Sequence, residues 1–211
     1  MDRRKKMKSY GLSEILNLYT IGKFPMSEHR NSDGFAIIEP EKRGIIPLDA
    51  LHISRSLAKY MRQGDFHYTI NHSFSAVIEA CARPRPEHPE TWISESLQLV
   101  YEHFNEAGFA HSLEVWDGPN PHKAKLQGGL YGIALGGAFF GESMFSHERN
   151  GSKMALVYLV RHLNERNFAL LDTQYSTDHL ETMGGIEITQ DEYLKRLAPA
   201  LEIKTSFVDV I

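Results

Sequence analysis

Apolar residues recur along this chain with two periods, and the changes of period mark its elements. The clearest stretch runs from Gly128 to Lys153. Leu130, Tyr131, Ile133 and Leu135 supply strand-type content, Gly136 and Gly137 read as a tight hairpin turn, and Ala138-Phe139-Phe140 begins a second strand. Gly128 and Gly129 allow a bend or a close backbone approach. The second strand runs on into Gly141-Glu142-Ser143-Met144-Phe145-Ser146, so a carboxylate and hydroxyls stand where a sheet edge opens into a cleft. Asn150 or Ser152 then caps a helix that reaches Glu165, with Leu156, Leu159, Val160 and Leu163 on its inner face.

The same reading places helices over Ser13–Tyr19 (closed by Gly22), Ser54–Arg62, Phe74–Ala82, from Thr91-Trp92-Ile93 to Ala107, and Asp191–Leu201. Strands fall on Phe35–Ile38, Phe66–Ile70, Ala110–Trp116, Phe168–Leu171 and Ile186–Ile188, and Ile45–Leu48 is extended. A helix or turn lies around Asp178–Met183, and Arg83–Pro89 is a proline-rich loop fit for a mobile rim. Helices alternating with strands over one mixed sheet predict an α/β (α+β) fold with helices on both faces. The first forty-odd residues hold too few apolar groups to fold alone. Residues 1–62 are therefore expected as a small N-terminal lobe on a main domain of residues 63–211.

Composition narrows the class. The chain has 211 residues, 42% apolar and 24% charged, the balance of an ordinary soluble globular protein. It has no apolar run of membrane-spanning length, and its basic N-terminus lacks the apolar region of a secretory signal. The single cysteine, Cys81, excludes an internal disulfide and a cysteine-based metal site, fits a reducing cytoplasm, and reads as a buried small hydrophobe. A net charge of −4 excludes a generally basic coat, so any nucleic-acid contact needs a local face. Arg3, Arg4, Lys5, Lys6 and Lys8 form one basic arm. Arg55, Lys59 and Arg62, at i, i+4 and i+7, make one helix face that is either solvated or a binding surface.

Two polar strand ends offer chemistry: Gly141-Glu142-Ser143 and Asp172-Thr173-Gln174. If the two strands are neighbours, both ends open into one crevice, the usual ligand position in such sheets. In an extended segment Asp172 and Gln174 point to the same side, so the carboxylate can orient the amide and the amide can hold a substrate amine or hydroxyl. The alternative is that both only cap loops. There is no HExxH pair, no G-x-S-x-G elbow around Ser143, no Walker A loop and no Rossmann glycine fingerprint. The loop His147–Ser152 lacks the pyrophosphate-binding pattern of acetyl-CoA enzymes.

Taken together, several motifs resemble the leucyl/phenylalanyl-tRNA–protein transferases. They are Tyr19-x-x-Gly22-x-Phe24-Pro25, His52-Ile53-Ser54-Arg55-Ser56-Leu57, Thr91-Trp92-Ile93, Ala110 to Trp116, Gly128 to Gly132, Phe140 to Ser146, Asn150-x-Ser152-Lys153 and Asp172-x-Gln174. The match runs in unbroken order from Tyr19 to Leu197. The resemblance implies a GNAT-like acyltransferase domain with a small N-terminal lobe. It implies transfer of Leu, and less readily Phe or Met, from charged tRNA to the α-amine of proteins beginning with Arg or Lys, which marks them for the N-degron route. No metal, CoA or other cofactor is implied, and a cytoplasmic monomer is expected.

By position, the resemblance makes Asp172 and Gln174 the catalytic pair, with Asp172 holding Gln174 and Gln174 holding the attacking amine. Glu142 and Ser143 stand at the neighbouring strand end. Leu130, Met144, Leu156, Leu159 and Leu163 fall at the positions of the side-chain pocket, and are equally readable as core. Trp92 lines the place of the terminal adenosine or packs at a helix start. Arg55, Lys59 and Arg62 become the tRNA face. Departures from the family pattern fall at Met26 and at Ile37-Ile38-Glu39-Pro40-Glu41-Lys42-Arg43, where the resemblance places part of the donor and tRNA surface.

Overall fold

The Gly136-Gly137 hairpin forms the spine of the fold. In the computed structural model, which describes residues 11–84 and 91–209, it joins β6 (Leu126–Leu135) to β7 (Ala138–Ser146). Gly136 takes a positive φ of 54°, the backbone region a tight turn needs and glycine adopts without strain. The remaining strands are β1 (Phe24–Met26), β2 (Ala36–Ile38), β3 (Lys42–Ile45), β4 (His67–Ile70), β5 (Ala110–Trp116), β8 (Leu170–Gln174) and β9 (Ile186–Thr189). The helices are α1 (Leu12–Thr20), α2 (Arg55–Gln63), α3 (Phe74–Ala82), α4 (Glu95–Glu106), α5 (Gly151–Glu165), α6 (Asp178–Glu181) and α7 (Gln190–Leu201). The expected mixed α/β class is what these elements build. The basic arm at Arg3–Lys8 lies outside the described residues, as does the proline-rich loop from residue 85 onward.

Seven strands form one sheet in the order β4-β5-β6-β7-β8-β3-β9, while β1 and β2 pair separately. All neighbours in the large sheet are antiparallel except β7 and β8, which run parallel. Each face carries its own core. Tyr131, Ile133, Phe140 and Phe145 meet Tyr19, Val77, Tyr101 and Leu197 on one side. Leu113, Val115, Phe139 and Leu171 meet Leu156, Leu159 and Leu163 of α5 on the other. Each such leucine, almost wholly withdrawn from water, contributes about 1.5–3 kcal/mol.

The expected lobe of residues 1–62 supplies more than a satellite. It has its own β1–β2 ribbon, but β3 is an internal strand of the large sheet between β8 and β9. The sheet therefore does not divide at residue 62.

The start of α5 lies close against β6. A Cβ on Gly151 would meet the Gln127 carbonyl oxygen at 2.1 Å, so only glycine fits there. Neither Asn150 nor Ser152 caps this helix through its side chain. Ser146 does so instead, its Oγ accepting the Ser152 N–H at 2.8 Å.

Candidate active site

β7 and β8 pair over only three steps, Ala138–Leu170, Phe139–Leu171 and Phe140–Asp172. Beyond them β7 runs on to Ser146 paired with β6 but no longer with β8, and the parting of β7 and β8 opens a cavity of about 420 Å³. The two polar strand ends thus meet at one fork, the outcome expected if the two strands are neighbours. Trp92, Leu130, Glu142, Ser143, Met144, Leu156, Leu159 and Gln174 all line it.

Glu142 reaches the cavity through a β-bulge. Tyr131 pairs with Ser143 and Gly132 with Gly141, so Glu142 is the extra residue of β7. A bulge of this kind re-aims a side chain that regular pleating would send elsewhere. Glu142 Oε2 accepts from the Tyr101 hydroxyl at 2.8 Å and from Gln174 Nε2 at 3.0 Å. Tyr101 in turn shares a hydrogen bond of 2.9 Å with the Tyr19 hydroxyl. Glu142 Oε1 is buried and has no hydrogen-bond partner among the described residues. Burial raises the Glu142 pKa to about 7, against the lowering effect of its tyrosine and Gln174 hydrogen bonds. Burial, with the Glu142 charge second, holds Tyr19 and Tyr101 well above the usual phenol range, so both remain donors.

Asp172 does not do what its spacing predicted. It is fully buried, does not line the cavity, and makes no bond to the Gln174 side chain. Its Oδ1 accepts the Gln174 main-chain N–H at 2.7 Å. Its carboxylate is gripped by Arg43, with Nε to Oδ1 at 2.9 Å and Nη2 to Oδ2 at 2.5 Å, and by the Tyr193 hydroxyl at 2.7 Å. The cause is backbone geometry. Gln174 has φ of +64°, so β8 leaves extended conformation at that residue and the same-side rule for positions two apart fails. The left-handed turn directs the amide to Glu142 instead.

The apolar end of the cavity is walled by Leu130, Met144, Leu156 and Leu159, joined by Leu171 and Leu180. Leu163 does not line it; it lies fully buried in the core below. Four residues further along α5 is a displacement of about 6 Å, enough to leave the fork. Arg55, Lys59 and Arg62 are exposed on α2, which is anchored by buried Leu57, and none of the three borders the cavity. Trp92 is half-buried at the rim.

The sequence reading missed Tyr101 as a Glu142 partner and Tyr19 behind it, because at helical spacing both count as core. It also missed Arg43, whose one signal was a cation directly before the apolar run Gly44-Ile45-Ile46. Among the described residues no group of three or more His, Cys, Asp or Glu is arranged to hold a metal ion, and no helix is long and apolar enough to cross a membrane.

The mixed α/β sheet forks at the parallel pair β7–β8, with a titratable carboxylate beside an apolar recess. A family model described as leucyl/phenylalanyl-tRNA protein transferase matches residues 45–198. A leucyl/phenylalanyl-tRNA–protein transferase of Maricaulis maris is 48% identical over 201 residues, covering 95% of this chain and 91% of that protein. One of the same name from Zymomonas mobilis is 49% identical over 187 residues, covering 89% of this chain and 68% of that protein. Among solved structures, "The structure of L-PGS from Bacillus licheniformis" is 10% identical, with a TM-score of 0.44 over 66% of this chain and 49% of that one. The chain belongs to the leucyl/phenylalanyl-tRNA–protein transferase family.

Proposed function

We propose that this chain, acting as a cytoplasmic monomer, transfers Leu, and less readily Phe or Met, from charged tRNA to the α-amine of proteins beginning with Arg or Lys, marking them for N-degron degradation. The observation that carries this reading is Glu142 Oε1, buried at the fork beside an apolar recess and without a partner among the described residues. A buried acceptor with no donor costs about 1–3 kcal/mol, so the site stands ready for a donor such as an amine.

The aminoacyl ester is already activated, so the site chiefly positions an amine against its carbonyl. The α-ammonium, with a pKa of about 7.7–8.0, must lose one proton to attack. Glu142, with a pKa of about 7, accepts that proton at Oε1. The neutral nitrogen then forms the C–N bond, the ester C–O bond breaks, and the terminal ribose oxygen leaves carrying a proton. Gln174 holds Glu142 Oε2 and so fixes the direction of Oε1. Asp172 acts behind the site through the Gln174 main chain.

Leu130, Met144, Leu156 and Leu159 take the Leu side chain, Ser143 and Trp92 border the donor, and Arg55, Lys59 and Arg62 contact tRNA. The test is transfer of labelled Leu from Leu-tRNA to a protein with N-terminal Arg, with N-terminal Asp and Glu acceptors alongside. No transfer to any of them defeats the reading.

A further inference from the structure

Arg43 stands immediately before Gly44, where β3 passes the exit of β8. Gly44 is opposite Gln174 in the ladder, and Ile45 opposite Asp172. A Cβ on Gly44 would meet the Tyr175 backbone carbon at 2.7 Å and the Ser176 nitrogen at 2.8 Å. The absent side chain therefore lets β3 close on this turn and brings Arg43 to Asp172.

The guanidinium is fully buried and constrained on every side. It lies 4.7 Å from the Phe24 ring centroid and 4.5 Å from that of Tyr193, a cation–π contact on each ring. Its Nη1 donates to the Gly22 carbonyl at 2.9 Å. Its Nε and Nη2 form the two-pronged pair with Asp172. With Tyr193 Oη and the Gln174 N–H added, the carboxylate accepts four hydrogen bonds, which fills its acceptor positions. Asp172 thus has no lone pair left for a substrate proton.

The consequence falls on Gln174. A left-handed backbone is strained for a residue with a Cβ, and persists only where the surroundings over-determine it. The Asp172 bond to its N–H is the local restraint, and Asp172 is itself fixed by Arg43. An unbroken series of contacts runs from Arg43 to Asp172, to the Gln174 main chain, to the Gln174 amide and to Glu142 Oε2.

We infer that Arg43 is a positioning residue for the transfer reaction: by locking Asp172 it sets the Gln174 turn that orients the Glu142 carboxylate. Lys cannot replace it, because one ammonium cannot supply the planar two-pronged grip and the ring contacts together.

The inference rests on the proposed transfer activity, and the experiment separates the two. Steady-state transfer from Leu-tRNA to an N-terminal Arg acceptor is measured for the wild type, Arg43→Lys, Asp172→Asn, Tyr193→Phe and the double variant Arg43→Lys/Asp172→Asn, with rates referred to folded protein. Arg43→Lys is expected to lower kcat by roughly 10- to 100-fold with KM for both substrates within about twofold, the mark of misplaced rather than lost binding. The double variant is expected to be no worse than its poorer parent, since both changes break one linkage. Tyr193→Phe keeps the ring and deletes one bond to Asp172, and is expected to lower kcat several-fold. If Arg43→Lys does not fold, Tyr193→Phe decides. A lowered unfolding temperature with unchanged kcat, or additive losses in the double variant, overturns the role of Arg43 and leaves the transfer reading standing. A wild type without transfer overturns both.

Discussion

Gln174 gives its side-chain amide to Glu142 and its main-chain N–H to Asp172, so one carboxylate in the site and one behind it hold opposite ends of one residue. The amide therefore serves as a strut under Glu142 rather than as a link in a proton relay from Asp172. This division makes the two roles of Gln174 separable. Asn tolerates left-handed backbone well and still offers the same N–H, but its shorter side chain does not span the distance to Glu142. Gln174→Asn is expected to unfold within about 1 kcal/mol of the wild type. Its transfer rate is expected to drop by roughly 100-fold. Denaturant titration beside steady-state kinetics checks both.

Glu142 predicts a pH dependence in two observables. Its folded pKa of about 7 lies above the ordinary 4.5, so the folded state binds the proton more tightly. Stability therefore falls as pH rises through that window, by about 3 kcal/mol in all, and levels off above pH 7. The rate should move the other way, with kcat/KM rising through about pH 7 as the carboxylate ionises. Glu142→Gln should remove the stability slope and the kinetic limb together. Urea unfolding at several pH values and a pH–rate profile read them out.

Tyr101 tunes that limb. Its hydrogen bond stabilises the ionised form of Glu142 and lowers a pKa that burial raises. In Tyr101→Phe the ascending limb should move to higher pH, leaving the plateau rate within a few-fold. A limb that stays in place would show that a different group carries it.

Leu163 and Met144 distinguish core from pocket. Met144→Ala widens the recess, and is expected to raise the kcat/KM ratio of Phe-tRNA over Leu-tRNA by about tenfold, within the reach of apolar discrimination. Leu163→Ala should cost about 2–5 kcal/mol of stability as a buried truncation while leaving the ratio unchanged. Competition between the two charged tRNAs measures the ratio directly.

The α2 face predicts a salt effect. Replacing Arg55, Lys59 and Arg62 with Ala should weaken tRNA binding and lower the slope of log affinity against log salt by about 2–3. Because all three are exposed, stability should change by less than about 0.5 kcal/mol for each.

What the sequence made legible was local. The Gly136-Gly137 turn, the limits of β5 and the apolar stripe of α3 each depend on neighbours a few positions apart, and the structure has them where the pattern put them. The position of β3 was not legible. It is four residues long, follows a proline, and finds its place between β8 and β9 only through partners more than a hundred residues away. The Arg43–Asp172 pair spans 129 positions, and no spacing rule reaches across that distance. The candidate site was half legible. Glu142 and Gln174 could be placed at one fork from their strand ends, but the bond between them depends on a left-handed turn that Gln, unlike Gly, does not advertise. The α5 stripe put Leu163 on the correct face without telling how far along the axis the cavity extends.

The extra residue in β7 also acts as a change of parity. Up to Phe140 the even-numbered side chains join the core that holds Tyr101, and odd-numbered Phe139 joins the core of α5. After Glu142 the assignment is exchanged: Phe145 joins the first core and Met144 the second. Met144 therefore reaches the leucine recess because of a count, not because of its identity. Flattening the bulge with every residue kept would turn Phe145 toward the recess in its place, whereas deleting Glu142 would remove the bulge and leave Met144 opposite Leu130. Which side chain faces the recess is thus set partly by arithmetic, and a comparison of aligned residue types alone would pass over it.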